Sequence, residues 1–159
     1  MKHCISLIIA LLIAIISISS CNSGKWDSQT VEDNTENVKI SSTNYTAKDG
    51  SVVAIVRIEQ KGQSDEFVFG VTTAKGLFDF NYFTGIVSAS IDFYEGRTLI
   101  DKKIVSLEPS GGLNIAVEAT DCGKDVYDHL MQKGGIRVII PRSGMDPFDL
   151  KVPKYSQKK

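Results

Sequence analysis

The stretch "IVSASIDF", residues 86–93, establishes the fold class because its side chains alternate strictly between apolar and polar. The apolar members share one face of an extended chain: Val87, Ala89, Ile91 and Phe93. Two serines and an aspartate fill the opposite face. A strand with one dry face and one wet face is typical of an antiparallel sheet that covers a core on one side. The stretch therefore predicts a mainly β protein.

The same alternation recurs in three other segments, at residues 66–71, 113–119 and 148–152. The predicted core-facing residues are Phe67, Phe69 and Val71, then Leu113, Ile115, Val117 and Ala119, then Phe148, Leu150 and Val152. The run "SVVAIVRIEQ", residues 51–60, is rich in β-branched side chains and predicts a more deeply buried strand. Short turns, such as the one predicted at Glu95 and Gly96, separate the strands. We expect an antiparallel β-sandwich of about seven to eight strands.

One segment follows a helical period instead. In "TDCGKDVYDHLMQKGG", residues 120–135, Val126 and Leu130 are spaced four apart, as on one face of a helix. Asp121 is a suitable N-cap, and Gly134 is placed where a glycine commonly ends a helix. We expect one short helix near residues 122–133, packed against an end of the sheet.

The composition divides the chain into four parts. Residues 1–20 have the layout of a signal peptide, and residues 21–37 are polar and predict a flexible tether. Residues 38–153 have the composition and length of a single domain, the β-sandwich. Residues 154–159 form a basic tail, for which we expect a solvated, frayed end. Trp26 within the tether fits either an aromatic at the lipid interface or an incidental exposed side chain.

The cellular location of the protein is indicated by "IISISSCNSG", residues 15–24. A positive start at Lys2 and His3 precedes an apolar run from Ile5 to Ile18, which is too short for a spanning helix. The residues Ile18, Ser19, Ser20 and Cys21 resemble the lipobox of bacterial lipoproteins. That resemblance implies cleavage before Cys21 and attachment of fatty acyl chains such as palmitate to its thiol. Ordinary secretion with cleavage near a cysteine is the alternative.

The lipobox resemblance also implies a location in the bacterial cell envelope. Asn22 follows the cysteine, where an aspartate would resemble an inner-membrane retention signal, so we expect the outer membrane in a cell with two membranes. Of the cysteines outside the signal peptide, Cys122 then remains as a thiol, and one thiol cannot form an internal disulfide. The mature domain must therefore be held together by a hydrophobic core.

The end of the chain resembles a second family. The segments "KGGIRVIIP", residues 133–141, and "PFDL", residues 147–150, are similar to the ending of envelope domains of the invasion-associated locus B type. The match covers about the last 70 residues and implies an envelope β-sandwich. It implies no particular chemistry.

The sequence gives little support for catalysis or for a cofactor. It contains no phosphate-binding loop, no nucleophile elbow, no paired-cysteine motif and no zinc-protease motif, and its net charge of −1 argues against nucleic acid. One cluster deserves a test, at Cys122, Asp125 and His129. Seven residues of helix separate the thiol from the imidazole by roughly 10 Å, too far for a catalytic pair. We expect a non-enzyme with no metal and no cofactor.

The segment "LFDFNYFTG", residues 77–85, is the candidate ligand site. Four of its side chains could form an aromatic platform with polar groups for a sugar: Asp79, Asn81, Tyr82 and Phe83. The alternative is a strand whose Phe78, Phe80 and Tyr82 face the core.

These observations predict a non-catalytic, membrane-anchored β domain that binds a protein partner. The contact is expected at "FNYFTG", residues 80–85, or "RSGMDP", residues 142–147. A carbohydrate-binding surface lipoprotein is one alternative, and a small envelope enzyme is the other.

Overall fold

The computed structural model describes residues 24–33, 37–118 and 122–156. Residues 1–23 lie outside the described part of the chain. They include the lipobox, residues 18–21, and with it the predicted lipidation at Cys21. The described part consists of nine strands and one helix: β1 Lys25–Asp33, β2 Val38–Thr46, β3 Val52–Gln60, β4 Glu66–Thr72, β5 Val87–Glu95, β6 Thr98–Pro109, β7 Ile115–Glu118, α1 Gly123–Gln132, β8 Gly135–Ile140 and β9 Phe148–Val152.

All nine strands belong to one sheet, in the order β1-β2-β3-β4-β7-β6-β5-β8-β9. Every neighbouring pair in that order is antiparallel. The predicted mainly β, antiparallel fold with one short helix is confirmed. The described strands number nine instead of seven to eight.

The sheet folds over one main core in the manner of a sandwich. Ile55 of β3 and Phe69 of β4 belong to the same buried cluster as Ile91 of β5 and Val138 of β8, although these strands lie in opposite halves of the sheet. The two ends of the sheet also meet, because the ring of Trp26 in β1 lies 5.4 Å from that of Tyr155, just beyond β9. The polar faces that the sequence predicted thus lie on the outside of the sandwich, and the apolar faces lie between its two layers.

Strand β5 has the alternation that its sequence predicts, with one exception. Val87, Ala89, Ile91 and Phe93 are all buried, and full burial of an isoleucine or phenylalanine contributes about 1.5–3 kcal/mol each. Asp92 is buried too, although it lies on the polar face. Its Oδ1 accepts a hydrogen bond from the Ser90 hydroxyl at 3.1 Å and lies 3.9 Å from the Lys102 ammonium group. The burial of this carboxylate is therefore compensated.

Strand β7 corrects the predicted face of residues 113–119. The strand begins at Ile115, its fully buried residue is Ala116, and Leu113 is half exposed. A tight turn sets this register, since the Ile115 N–H donates to the Gly112 carbonyl at 3.3 Å. Because side chains alternate with a period of two, a shift of one residue exchanges the faces. Ala119, also predicted to face the core, lies outside the described residues.

The segment predicted as a flexible tether contains a strand. Residues Lys25–Asp33 form β1 and pair with all of β2, so that Trp26 lies opposite Tyr45. Ser28, on the same side of β1 as Trp26, is an exposed small polar residue, and its hydroxyl lies 3.4 Å from that of Thr43. An edge strand held by backbone hydrogen bonds needs no apolar alternation, and for that reason the sequence pattern indicated a tether.

Trp26 and the start of the basic tail are likewise part of the fold. The Trp26 ring packs between Tyr45 and Tyr155, with a centroid distance of 5.4 Å to each ring. Lys154 Nζ donates to the Gln132 carbonyl at 2.7 Å, and the Tyr155 N–H donates to the Leu130 carbonyl at 3.0 Å. Lys154 and Tyr155 therefore dock on the end of the helix, in contrast to the solvated tail that we expected from residue 154 onward.

Helix α1 lies where its spacing predicted. Val126 and Leu130 are fully buried, and the helix ends when the N–H groups of Lys133 and Gly134 both donate to the His129 carbonyl, at 2.8 and 3.0 Å. The N-cap position is occupied by Cys122, and the predicted N-cap Asp121 lies outside the described residues. A Cβ atom at Gly134 would lie 1.8 Å from the Tyr94 carbonyl oxygen, so only glycine fits there.

Strand β3 is apolar on both faces, as its β-branched run predicts. Val53 and Ile55 face the main core. The opposite face forms a second, smaller cluster, which consists of Ala54, Val56 and Ile58 with Val38, Ile40 and Val68 packed against them. Within the described part of the chain, no helix is long and apolar enough to cross a membrane.

Candidate functional site

Three loops meet at one end of the sandwich. They connect β4 to β5 (residues 73–86), β6 to β7 (110–114) and β8 to β9 (141–147), and together they are called the loop surface below. Backbone hydrogen bonds join the first loop to both others: Phe78 N–H to the Leu113 carbonyl at 2.8 Å, Asp79 N–H to the Pro141 carbonyl at 3.0 Å, and Ser143 N–H to the Leu77 carbonyl at 3.0 Å. The two loops that the sequence offered as alternatives, 80–85 and 142–147, thus belong to one surface.

Side-chain contacts also hold these loops together. The Arg142 guanidinium donates to the Asp146 carbonyl at 2.8 Å and to the Lys75 carbonyl at 3.1 Å, so it holds two loops together. Beneath it the Phe78 ring is buried and packs edge-on against Phe148 at 5.7 Å. The loop surface is therefore built on a fixed base.

The tip of the first loop is a closed turn built around Asn81. Its N–H donates to the Ile86 carbonyl and its carbonyl accepts from the Gly85 N–H, both at 2.8 Å. Its side-chain Oδ1 accepts from the Phe83 N–H at 2.9 Å and from the Thr84 N–H at 3.0 Å. An asparagine that bonds its own turn in this way stabilises a non-repetitive backbone.

The turn presents two adjacent aromatic side chains to solvent. Tyr82 is 93% exposed and Phe83 is 92% exposed, and their rings meet edge to face at a centroid distance of 5.5 Å. Three more large apolar side chains on the loop surface are each about half exposed: Leu77, Leu113 and Met145. A cluster of exposed apolar groups on an ordered surface is typical of a protein-interaction site.

The predicted ligand residues Asp79, Asn81, Tyr82 and Phe83 are all exposed on this surface. They do not form a flat sugar platform. The two rings are inclined at 86°, and both lone pairs of Asn81 Oδ1 are engaged by the turn. Of the predicted core-facing aromatics, Phe78 is buried and Phe80 is half-buried, whereas Tyr82 is not.

Sequence reasoning missed part of the loop surface. Leu113 was assigned to the core, and the exposed Leu77 and Met145 were not singled out as part of this surface. Their neighbourhood depends on contacts between segments about 30 to 70 residues apart, for which a single sequence carries no local signal. The glycines and prolines of residues 141–147 did indicate a loop.

The side chains of Cys122, Asp125 and His129 each make contacts with other parts of the fold. Asp125 forms an ion pair with Lys103, and this hydrogen bond raises the pKa of the lysine. His129 is buried, and its Nε2 lies 3.0 Å from the Tyr94 carbonyl oxygen and 3.2 Å from that of Gly135. Cys122 is buried at the helix N-cap. Each side chain thus has its own structural contacts.

No group of three or more His, Cys, Asp or Glu side chains is placed to hold a metal ion among the described residues. Comparisons with protein-family models, with curated proteins and with solved structures each gave no match. The resemblances to lipoproteins and to the locus B type of domain therefore stay predictions.

Proposed function

We propose that this protein is a non-catalytic envelope lipoprotein, anchored through Cys21, whose β domain binds a protein partner through the loop surface. The observation that carries the proposal is the pair Tyr82 and Phe83, almost fully exposed on a turn with an ordered backbone. Tyrosine is among the residues enriched at the energetic centres of protein interfaces, and aromatic side chains in general are enriched there.

The energetics favour burial of this pair. Two aromatic side chains that each lose about 150–250 Å² of exposed surface would contribute on the order of 7–12 kcal/mol before the costs of association. Those costs include lost translational freedom and the ordering of side chains. Because the turn is already held by the Asn81 hydrogen bonds, little backbone ordering is needed at the tip.

A protein partner fits this surface better than a glycan. Sugar rings stack on a flat aromatic face while polar side chains bind their hydroxyl groups, whereas these rings stand edge to face and the Asn81 oxygen is engaged. Leu77, Leu113 and Met145 extend the surface with aliphatic groups, which suit an apolar protein side chain.

The anchor is proposed on the lipobox residues Ile18–Cys21. Two or three acyl chains hold a protein stably at a bilayer, whereas one chain holds it only marginally. Under the same proposal, Asn22 at the position after Cys21 supports the outer membrane as the location in a cell with two membranes. The domain then begins within a few residues of the membrane surface, because β1 starts at Lys25.

The binding proposal is tested by photocrosslinking in intact cells. A photoreactive phenylalanine analogue replaces Phe83 in one variant and the exposed Lys61, in the β3–β4 turn, in the other. We expect a discrete protein adduct from position 83 and none of the same mass from position 61. The proposal is wrong if position 83 gives no protein adduct, or if both positions give the same adducts in equal yield.

The anchor is tested separately by mass spectrometry of the N-terminal peptide from the membrane fraction. We expect a peptide that begins at Cys21 and carries acyl chains, and a Cys21→Ser variant that leaves the membrane fraction. An unacylated N-terminus in the wild-type protein would contradict the anchor and leave the loop-surface proposal untouched.

A further inference from the structure

A second feature is a cleft of about 920 Å³ at the edge where the two ends of the sheet meet. It is bordered by the β5–β6 turn, by the residues between α1 and β8, and by the end of β9. Its volume lies within the range of small-molecule sites in proteins. None of its lining residues is acidic, and four are cationic: Arg97, Lys133, Lys151 and Lys154.

The positive charge of this cleft is compensated only in part, at Lys133, which also borders a neighbouring pocket with Asp101, Asp125 and Asp128. Arg97 and Lys133 form no ion pair with any residue in the described ranges. Lys151 lies near Asp149, but that carboxylate is already bound by the Arg137 guanidinium through N–H···O bonds to both oxygens. Lys154 donates to the Gln132 carbonyl, a group without formal charge. The cleft therefore attracts an anion.

The shape of the cleft is fixed by close backbone contacts. A Cβ atom at Gly134 would lie 1.8 Å from the Tyr94 carbonyl oxygen, and one at Gly135 would lie 2.6 Å from that of Val152. Both glycines line the cleft, as does Tyr94. Any larger side chain would push these segments apart, so the cleft is a preformed feature of the packed backbone.

The cleft lies beside the point where the chain arrives from Cys21. The Gly24 N–H donates to the Thr46 carbonyl at 2.6 Å, and the neighbouring Tyr45 lines the cleft. Two residues separate Cys21 from Gly24, so the three steps along the chain can span roughly 11 Å at most. A lipid on Cys21 would therefore hold the cleft close to the lipid headgroups.

We infer that the cleft binds the phosphate group of an anionic phospholipid in the membrane that holds the anchor. This inference rests on the proposed anchoring at Cys21, which brings the cleft to the bilayer. Arginine and lysine N–H groups are the usual donors to phosphate oxygens, and basic side chains next to an acyl anchor strengthen attachment to anionic membranes. Free phosphate offers the same chemistry from solution, and the experiment separates the two sources.

The test uses the full chain in non-ionic detergent micelles, with Trp26 as reporter. Trp26 is the single tryptophan, and its ring contacts Tyr45 of the cleft at 5.4 Å. Phosphatidylglycerol, phosphatidylcholine and inorganic phosphate are added in separate titrations. Native mass spectrometry of protein from micelles with equal amounts of both lipids gives a second readout. We expect saturable binding and preferential retention of phosphatidylglycerol alone.

Matched charge variants complete the test. R97Q/K151Q removes two cleft cations, and K61Q/K75Q removes two exposed lysines outside the cleft. We expect at least tenfold weaker binding of phosphatidylglycerol for the first pair and a change of less than twofold for the second. Circular dichroism verifies that each variant is folded. If R97Q/K151Q is not folded, R97Q/K133Q takes its place as the cleft variant.

Three outcomes overturn the inference. Equal losses in both variant pairs would mean attraction by net charge without a site, and saturation by inorganic phosphate without preference for phosphatidylglycerol would make free phosphate the ligand. Absence of any lipid preference in both readouts would exclude the site. Because these titrations require neither acylated Cys21 nor a protein partner, their failure is distinguishable from failure of the proposed function.

Discussion

Among single residues, Trp26 has the largest effect on where the folded domain begins. The surrounding residues 24–33 are polar, yet its ring packs between Tyr45 and Tyr155 and joins the first strand to the end of the chain. Its Nε1 atom is buried without a hydrogen-bond partner, so the contribution of the side chain is apolar contact. The contacts of one aromatic side chain thus add to the backbone pairing that holds β1 at the edge of the sheet.

This reading predicts unequal effects of two substitutions. Trp26→Ala should lower the free energy of unfolding by about 2–4 kcal/mol, because it removes ring contacts at the closure of the sheet. Trp26→Phe should cost clearly less, because the indole N–H that it removes has no acceptor. Urea unfolding followed by circular dichroism measures both, with the exposed Tyr82→Ala as control. Equal stability of Trp26→Ala and Tyr82→Ala would contradict the prediction.

The position of Gly134 requires a residue without a side chain. Gly134→Ala should destabilise the protein by several kcal/mol, or prevent folding, because its Cβ would lie 1.8 Å from the Tyr94 carbonyl oxygen. The control is Gly62→Ala, where the new Cβ meets no atom within 4 Å and the cost is that of a positive φ of 85°, about 1 kcal/mol. Thermal unfolding compares the two. Similar melting temperatures would show that the close approach at Gly134 is relaxed at little cost.

The ion pair of Asp149 with Arg137 makes the stability of the folded protein depend on pH in the acid range. The hydrogen bonds from the Arg137 guanidinium hold the pKa of the Asp149 carboxyl below its usual value of 3.8. A carboxyl whose pKa is lowered by folding stabilises the protein above its unfolded pKa, and this contribution is lost as the pH falls through the folded pKa. Because both side chains are partly exposed, the contribution is at most about 1 kcal/mol.

The measurement is the difference in unfolding free energy between the wild-type protein and Asp149→Asn across pH 2–7. We expect a constant difference above about pH 4 that shrinks as the pH falls further. The exposed Asp79, which forms no ion pair within the described ranges, supplies the control Asp79→Asn. A difference for Asp149→Asn that is flat over the whole range would exclude the ion pair.

Among the strands, β5 and β9 could be predicted from their apolar alternation and β3 from its β-branched run, whereas β1 and the face of β7 could not. β5 buries the residues that its period of two indicates, β9 buries Phe148 and Val152 and half-buries Leu150, and α1 buries Val126 and Leu130 as its period indicates. β1 has no such period because it lies at the edge of the sheet and is held by backbone pairing. β7 was predicted with the wrong face because a short turn before it sets its register. That turn cannot be recognised from the alternation of apolar residues.

The aromatic turn gives a prediction for a single element. Asn81→Ala removes the acceptor of the Phe83 and Thr84 N–H groups, so both amides should exchange hydrogen at least tenfold faster. Global stability should fall by only about 1 kcal/mol, because the turn is exposed. Amide hydrogen exchange with mass spectrometry measures the effect, and Asp79→Ala in the same loop serves as control. Unchanged exchange in Asn81→Ala would mean that the turn is held by its backbone bonds alone.

For the complete fold, the sequence indicated the antiparallel class and the loops, but not which loops meet. Residues 80–85 and 142–147 were alternatives in the sequence, and the structure joins them through bonds such as that from Asp79 to Pro141. Contacts of this kind depend on the strand order, and a single sequence predicts strand order poorly. The aromatic turn was accessible to sequence reasoning, whereas the surrounding Leu77, Leu113 and Met145 required the structure.

The proposal that the loop surface binds a protein is tested most directly with the partner that crosslinks to position 83. Its dissociation constant is measured by calorimetry for the wild-type protein, for Y82S/F83S, and for L99S/I104S, which removes two exposed apolar side chains from β6. Burial of both aromatic rings predicts at least 100-fold weaker binding for Y82S/F83S. L99S/I104S should bind within twofold of the wild-type protein. Equal affinity of all three proteins, or a greater loss in the β6 variant, would contradict binding through the loop surface.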